Sequence, residues 1–329
     1  MLSFNSLKIS DQYVIIDIFK SHKYNSLVFL CNNYYFIKEN YAIDLSTMNV
    51  RCDSIGFPLE LIEIRDEKYM GKYIPTIIII RNFPEDISEI IVTIENTDYT
   101  VRIHPIESSF IGKKCLSTIQ LNEVLLIEPW IDWHKKLGFE CFFIYDNNLD
   151  ADAYDYLLKK YPNELFVYAA DFPFFYDKSK DIRIGQTIQQ CHTLWKFSPE
   201  FLGLTDLDEY ISLASPGDFK LFDPTVSVLS LPNYWFGCSN AAKYKPNNFT
   251  EVLVKRELSG NNQVQRKCIV KSMEVDLICI HVTFNYSGTY KNATYDEVYL
   301  RHYLILSNRK RKCDCSVYCQ VTDVPIKDI

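Results

Sequence analysis

Two aspartates one residue apart, Asp206 and Asp208, with Glu209 directly after them, close the apolar run Phe201–Thr205. Carboxylates are hard oxygen ligands of the kind Mg²⁺ and Mn²⁺ take. Such a cation neutralises charge building on a departing diphosphate, as when the anomeric C–O bond of a nucleotide sugar breaks. A D-x-D tripeptide is common by chance, and alone it describes a solvated acidic turn. The apolar strand running straight into it favours the metal reading, because it sets both carboxylates at a sheet edge.

Other residues carry chemistry with a plain alternative beside it. Asp146 ends the apolar run Phe139–Tyr145. Its carboxylate would accept hydrogen bonds from a ribose or a uracil ring, but Asp146-Asn147-Asn148 also predicts an Asx turn. His281 sits between Ile280 and Val282 in a strand-like run, either as a third metal ligand or as a satisfied core residue. Transfer to an acceptor hydroxyl needs a carboxylate to take its proton, and Glu209, Glu251 and Glu257 are the candidates. Trp235 and Phe236 suit stacking on an acceptor sugar and core packing equally well. Cys313, Cys315 and Cys319 lack the spacing of a common zinc site and read as reduced thiols.

The elements that must position these groups fall into two parts. Residues 11 to 105 read as short β segments: Tyr13–Phe19, Leu27–Phe36, Leu59–Ile64, Thr76–Phe83, Glu89–Glu95 and Tyr99–Ile103. Turn clusters separate them, which predicts a small β-sandwich over residues 1–108, structural or acceptor-binding in role and a possible route to oligomers. Over residues 109–329 strands alternate with helices. Strands are predicted at Leu116–Ile119, Phe139–Tyr145, Leu165–Ala169 and Phe201–Thr205. Helices are predicted from Asn122-Glu123 to a stop at Gly138, over Ala151–Tyr161 and over Ile184–Phe197, with Pro129 expected to kink the first. This alternation predicts an α/β fold with a mostly parallel sheet and helices on both faces. Asp146 and the Asp206–Glu209 cluster then meet at the carboxyl ends of the strands, where such sheets bind ligands.

Bulk properties narrow the classes. The 329 residues suit two domains, and 47% hydrophobic with 23% charged residues is ordinary for a globular protein. A net charge of −7, with Arg309–Lys312 the one basic run, argues against nucleic acid. The best apolar stretch, Ile74–Ile80, is too short to span a bilayer and reads as a buried strand. Met1–Ser10 lacks the pattern of a secretory signal, so the expectation is a soluble, cytoplasmic protein. An odd count of 11 scattered cysteines fits free thiols in a reducing compartment. Without a secretory signal, the sequons at Asn248, Asn285 and Asn292 read as chance matches.

Taken together and in order, the motifs resemble glycosyltransferase family 92 and its family 2-like relatives. The resemblance begins with Asn122-Glu123, Trp130-Ile131-Asp132-Trp133-His134, Leu137-Gly138 and Phe143-Ile144-Tyr145-Asp146-Asn147. It continues through Gln186, His192, Trp195 and Thr205-Asp206-Leu207-Asp208-Glu209-Tyr210. Trp235-Phe236-Gly237, Lys267-Cys268-Ile269-Val270-Lys271 leading to His281, and Arg301-His302-Tyr303 with Ser307 complete it, over roughly residues 110 to 312. It implies a GT-A-type fold, a nucleotide-sugar donor such as a UDP-sugar, and Mn²⁺ or Mg²⁺. It implies that Asp206 and Asp208 contact metal, ribose and diphosphate, and that His281 completes the metal site. Asn122, Glu123, Asp146, Arg183, Gln186, Arg301 and His302 would line the donor site. Pro129 within the usual Glu-Trp pair, Leu149 in place of Ser and Lys271-Ser272 in place of a basic-Pro step depart from the pattern. The absence of the family's usual membrane anchor is similar to a soluble microbial or viral relative, the latter in host cytoplasm. The expected activity is thus metal-dependent transfer of a hexose to a glycan or other hydroxyl acceptor, with inversion. Two other readings compete. A nucleotidyltransferase would show a Gly-rich loop, and Leu116–Glu123 has no glycine. A non-catalytic carbohydrate-binding protein on a decayed transferase scaffold would have lost the acid pair, which is intact.

Overall fold

The run Ile77-Ile78-Ile79-Ile80 shows how the N-terminal part is built. In the computed structural model, which describes residues 2–8, 13–31, 48–62, 75–94, 96–148, 151–172, 184–214, 219–236, 255–256, 266–303 and 321–322, all of these isoleucines are buried. Side chains of a strand alternate between its faces. Ile78 and Ile80 face one apolar cluster, Ile77 and Ile79 another. A strand covered on both faces reads as a continuous apolar run.

The first cluster lies between two sheets of an all-β region, stacked as a sandwich. One sheet contains β1 (Tyr13–Ser21), β2 (Ser26–Cys31), β5 (Glu60–Ile62) and β6 (Thr76–Ile80), with Leu7–Lys8 at its edge. The other contains β3 (Asn49–Cys52), β4 (Ile55–Phe57), β7 (Glu89–Ile94) and β8 (Thr97–Arg102). Both sheets are antiparallel. Ile15, Phe29, Val50, Ile90 and Val92 fill the space between them.

The second cluster joins the sandwich to the rest of the chain. Ile16, Phe19, Val28 and Leu30 pack with Ile188, Cys191 and Trp195 in one core. Those last three lie on a helix whose every residue but Lys196 is buried. The sandwich is therefore a layer laid over that helix.

The helix belongs to the α/β part. Its sheet holds β9 (Lys114–Gln120), β10 (Cys141–Asp146), β11 (Leu165–Ala169), β12 (Phe201–Leu204), β14 (Val228–Leu231), β16 (Lys267–Val270) and β19 (Tyr290–Asn292). The order is β11-β10-β9-β12-β16-β14-β19. The first four are mutually parallel, and β16 is antiparallel to both neighbours. Helices α1 (Ile127–Lys136) and α2 (Ala151–Lys160) cover one face, and α3 (Ile184–Phe197) the other. Gly203 on β12 permits this packing, since a Cβ there would stand 2.6 Å from Leu116 and 2.9 Å from Phe139. A third sheet is formed by β13 (Glu209–Leu213), β15 (Asn233–Phe236) and β20 (Val298–Tyr303), extended by Lys255–Arg256 and Val321–Thr322. The hairpin β17 (Val275–Cys279) and β18 (Val282–Tyr286) packs against α3 through Val275, Leu277 and Ile278.

Two local expectations change. Pro129 does not kink α1, because a 3₁₀ turn occupies Val124–Leu126 and the α-helix starts only at Ile127. Pro129 thus falls in the first turn, where its missing N–H has no intrahelical acceptor to lose. His281 is not within a strand but in the turn between β17 and β18. The stop at Gly138 holds, with φ +94°, the left-handed conformation that glycine adopts without cost.

Candidate active site

The parallel register aligns the carboxyl ends of the strands. Gln120 pairs with Asp146, and Asp146 with Ala169. The next strand, β12, is in register with β9 only up to Ser117↔Leu204, so Asp206 emerges just past the same edge.

Asp206-Leu207-Asp208-Glu209 is a closed turn. The Glu209 N–H donates to Asp206 O (3.0 Å), and the Asp206 N–H donates to Glu209 Oε2 (2.8 Å). This reciprocal pair fixes the turn from both ends. The Asp206 carboxylate accepts from Gln186 Nε2 (2.8 Å) and from Lys267 Nζ (3.1 Å). The same ammonium lies 3.6 Å from Glu209 Oε2. On the other side, His302 Nε2 is 3.4 Å from Asp208 Oδ2, and its Nδ1 is 3.8 Å from Glu209 Oε1. The Tyr303 N–H donates to Asp208 O (2.8 Å). Three carboxylates, one buried lysine and one buried histidine thus meet at the sheet edge.

Asp206 is the most open of the three carboxylates, its side chain 27% exposed. Burial pushes the Glu209 carboxyl up to about 7, and Asp206 and Asp208 add to the rise while Lys267 and His302 oppose it. For His302 burial pulls downward, but Asp208, Glu209 and Asp206 outweigh it and hold the imidazole above its ordinary pKa. Among the described residues, the buried atoms here without a hydrogen-bond partner include Gln186 Oε1 and His302 Nδ1. Buried polar atoms are rarely left so without a ligand or water to meet them.

The donor chemistry fits a hard divalent cation: two aspartates, with the amide oxygen of Gln186 beside them. Among the described residues, however, no three His, Cys, Asp or Glu side chains are grouped as a metal site. His281, the expected third ligand, is half-buried with Nδ1 3.2 Å from Arg266 O, next to Lys267 in sequence.

The other expected residues divide. Asn122 holds φ +60° after β9, and its Oδ1 accepts from Asn148 Nδ2 (2.7 Å), linking two loops at the carboxyl edge. The Glu123 N–H donates to Gln120 Oε1 (2.7 Å). Asp146 is buried and makes the Asx turn, accepting from the Asn148 N–H (2.8 Å) and the Tyr154 hydroxyl (2.6 Å). Arg301 alternates with His302 along β20 and is buried among Ser212, Tyr299 and Phe236, with Nε donating to Ser212 Oγ (3.0 Å). Trp235 is in register with His302, their rings 6.3 Å apart at 79°. Arg183, Glu251, Glu257, Gly237, Ser307, Cys313, Cys315 and Cys319 lie outside the described residues. The described cysteines are all free.

Lys267 is the partner that residue-by-residue reading missed. A lysine opening the apolar strand Lys267-Cys268-Ile269-Val270 was the signal, because lysine is almost never fully buried unless paired.

Comparison with known proteins matches residues 114–324 to the model of glycosyltransferase family 92. A rice (Oryza sativa subsp. japonica) glycosyltransferase family 92 protein is 26% identical over 137 residues, covering 39% of this chain. The chain spans only 22% of that relative's length. The crystal structure of HddC from Yersinia pseudotuberculosis overlays at a TM-score of 0.31 with 8% identity, over 57% of this chain and 92% of that one, a likeness too weak to argue from.

Proposed function

The chain belongs to glycosyltransferase family 92, and on that premise we propose that it transfers a hexose from a UDP-sugar to a hydroxyl acceptor, with inversion and with a divalent cation held by Asp206 and Asp208. The observation that carries the reading is the acid turn itself, three carboxylates gathered at the carboxyl edge of a parallel sheet with one lysine among them. Like-charge crowding of this kind clusters at functional sites, where a cation or a polar substrate relieves it. Mn²⁺ or Mg²⁺ bound there would neutralise the charge developing on the departing diphosphate.

The chain's own residues supply the rest. Lys267 and Gln186 orient the Asp206 carboxylate. His302 orients Asp208, and its Nδ1–H is a donor available to a phosphate or sugar oxygen. Trp235 offers a half-buried ring beside His302 for the acceptor sugar to stack on. In the displacement, the acceptor oxygen bonds to the anomeric carbon as the bond to the diphosphate oxygen breaks. The acceptor proton passes to a carboxylate. Glu209, Glu251 and Glu257 are the candidates for that proton, Glu209 being buried with its Oε2 accepting from the Asp206 N–H.

The test is release of nucleoside diphosphate from a panel of nucleotide sugars, with and without Mn²⁺. Cation-dependent release from one donor, falling about 10²–10³-fold in Asp208→Asn, is the expected result. Full activity in that variant would remove the metal assignment. Lack of both turnover and UDP binding would remove the transferase reading.

A further inference from the structure

Strand β13 begins where the acid turn ends, so whatever holds β13 holds the carboxylates. One edge of β13 pairs with β20, from Glu209↔His302 to Leu213↔Val298. No strand pairs with its other edge, since β13 is the terminal strand of its sheet among the described residues. Ile211, in the middle of that strand, is 0% exposed. A buried backbone N–H and C=O without partners would be costly.

Two consecutive side chains of α1 supply those partners. The Trp133 indole Nε1–H donates to Ile211 O (2.7 Å). The Ile211 N–H donates to His134 Nε2 (3.3 Å). His134 Nδ1 faces Trp130 O (2.8 Å), a carbonyl that can only accept, so Nδ1 carries the proton and Nε2 keeps its lone pair for Ile211. The imidazole also stacks on Tyr210, with centroids 5.7 Å apart and planes at 27°. Burial pushes the His134 pKa down to about 3, so this neutral tautomer persists across the working pH range. One donor and one acceptor, delivered to the same residue, take the place of a neighbouring strand. An apolar pair of the same bulk would fill the space and leave Ile211 unsatisfied.

We propose that Trp133 and His134 are positioning residues for the reaction, a side-chain clamp that fixes β13 and thereby the Asp206–Glu209 turn against His302 and Lys267. The proposal rests on the transferase reading only for its kinetic consequence, since the clamp acts three residues from Asp208 and touches no substrate. A displacement of about 1 Å in a reacting group costs on the order of 10²-fold in rate.

The test uses the full chain with His134→Phe, His134→Gln and Trp133→Phe, and three readouts: donor turnover, thermal midpoint, and amide hydrogen exchange over residues 206–213. His134→Phe keeps a ring and removes the acceptor, whereas the side-chain carbonyl of His134→Gln can accept from Ile211. The expected result for folded His134→Phe is a kcat about 10–100-fold lower, a KM for the nucleotide sugar within about twofold, and faster exchange at Ile211. His134→Gln should recover kcat to within roughly fivefold of the wild type. Unchanged kcat and exchange in His134→Phe would overturn the clamp. So would an equal loss in the folded glutamine variant, which would trace the effect to ring packing. Should His134→Phe fail to fold, Trp133→Phe decides by the same kcat and exchange criteria. A wild-type protein that turns over no donor would overturn the transferase reading instead, and the exchange data would still judge the clamp.

Discussion

The same three residue types, a carboxylate, a histidine and a lysine, meet in two buried places in this molecule. At the seam between the sandwich and α3, Asp17 Oδ2 accepts from His192 Nε2 and Lys196 Nζ, both at 2.7 Å. Its Oδ1 accepts from the backbone N–H groups of Asn5 (2.6 Å) and Ile18 (3.0 Å). His192 Nδ1 meets the Tyr145 hydroxyl at 2.5 Å. One carboxylate faces one lysine and a neutral imidazole, and every group has a partner. At the acid turn, three carboxylates face one lysine and one histidine, and Gln186 Oε1 and His302 Nδ1 lack a hydrogen-bond partner among the described residues, Nδ1 lying 3.8 Å from Glu209 Oε1. The two histidines are both buried and shift in opposite directions. Burial, reinforced by Lys196 and only partly offset by Asp17, pushes His192 down to about 4. The carboxylates around His302 overcome its burial and raise it. A balanced, fully bonded cluster holds layers together, whereas a cluster with surplus charge and polar atoms without hydrogen bonds suits the binding role proposed for the acid turn.

The comparison breaks most visibly at the acid turn. Asp208→Asn should cut donor turnover by about 10²–10³-fold, yet leave the thermal midpoint level or slightly higher, since it removes one of three crowded like charges. Kinetics and calorimetry on the same sample check both halves. A large drop in midpoint would place Asp208 among the structural carboxylates and dissolve the contrast.

Asp17→Asn should do the reverse. It leaves Lys196 without its counter-charge in a buried network, which costs about 3–5 kcal/mol. A loss of that size corresponds to a fall in midpoint of roughly 4–7 °C for a chain this long. Turnover per folded molecule should stay near that of the wild type, and active-site titration beside a melting curve measures it.

Acid should expose the neutral histidines. His192 at about 4 and His134 at about 3 resist protonation in the folded state, while in the unfolded chain each takes a proton near pH 6.5. Their folded pKa values are lowered, so their contribution is complete above pH 6.5 and is lost as pH falls towards 4 and 3. The slope is up to about 1.4 kcal/mol per pH unit for each histidine. Urea unfolding at pH 7 and pH 5 reads it, and substituting His192 with Gln should flatten the dependence.

The smallest effect belongs to a pair with neither burial nor surplus charge. Lys135 bonds both oxygens of Glu164 across the surface, at 2.8 and 2.6 Å. Glu164→Gln should cost under about 1 kcal/mol, and less in high salt. Denaturant unfolding at two ionic strengths sets this floor against which the other variants are read.

Much of this arrangement was legible in the residues. Period and punctuation predict α3 at its observed bounds, Ile184–Phe197, and β11 at Leu165–Ala169. The apolar run into Asp206 predicts an acid turn at a strand end, which is where it lies. Motif order points to glycosyltransferase family 92, whose model matches residues 114–324. Partners distant in sequence were not legible. Asp17 and His192 are 175 residues apart, Gln186 and Asp206 20, and Lys267 and Asp206 61. Nothing local to Arg301 reveals that strand alternation turns it towards Ser212 rather than towards the acid turn.

Local chemistry is therefore what the sequence by itself determined: which segments alternate with period two or 3.6, where a glycine stops a helix, and which carboxylates stand together at a strand end. These depend on neighbours within a few bonds, and the chain order contains them. Only the tertiary structure decided that the sandwich lies over α3, that Lys267 and His302 answer the carboxylates, and that Trp133 and His134 stand in for a missing strand. Each of these joins groups through space across long loops, where loop closure costs grow slowly with length and so select no particular partner. The choice is made by burial and by the requirement that every buried polar group find its complement.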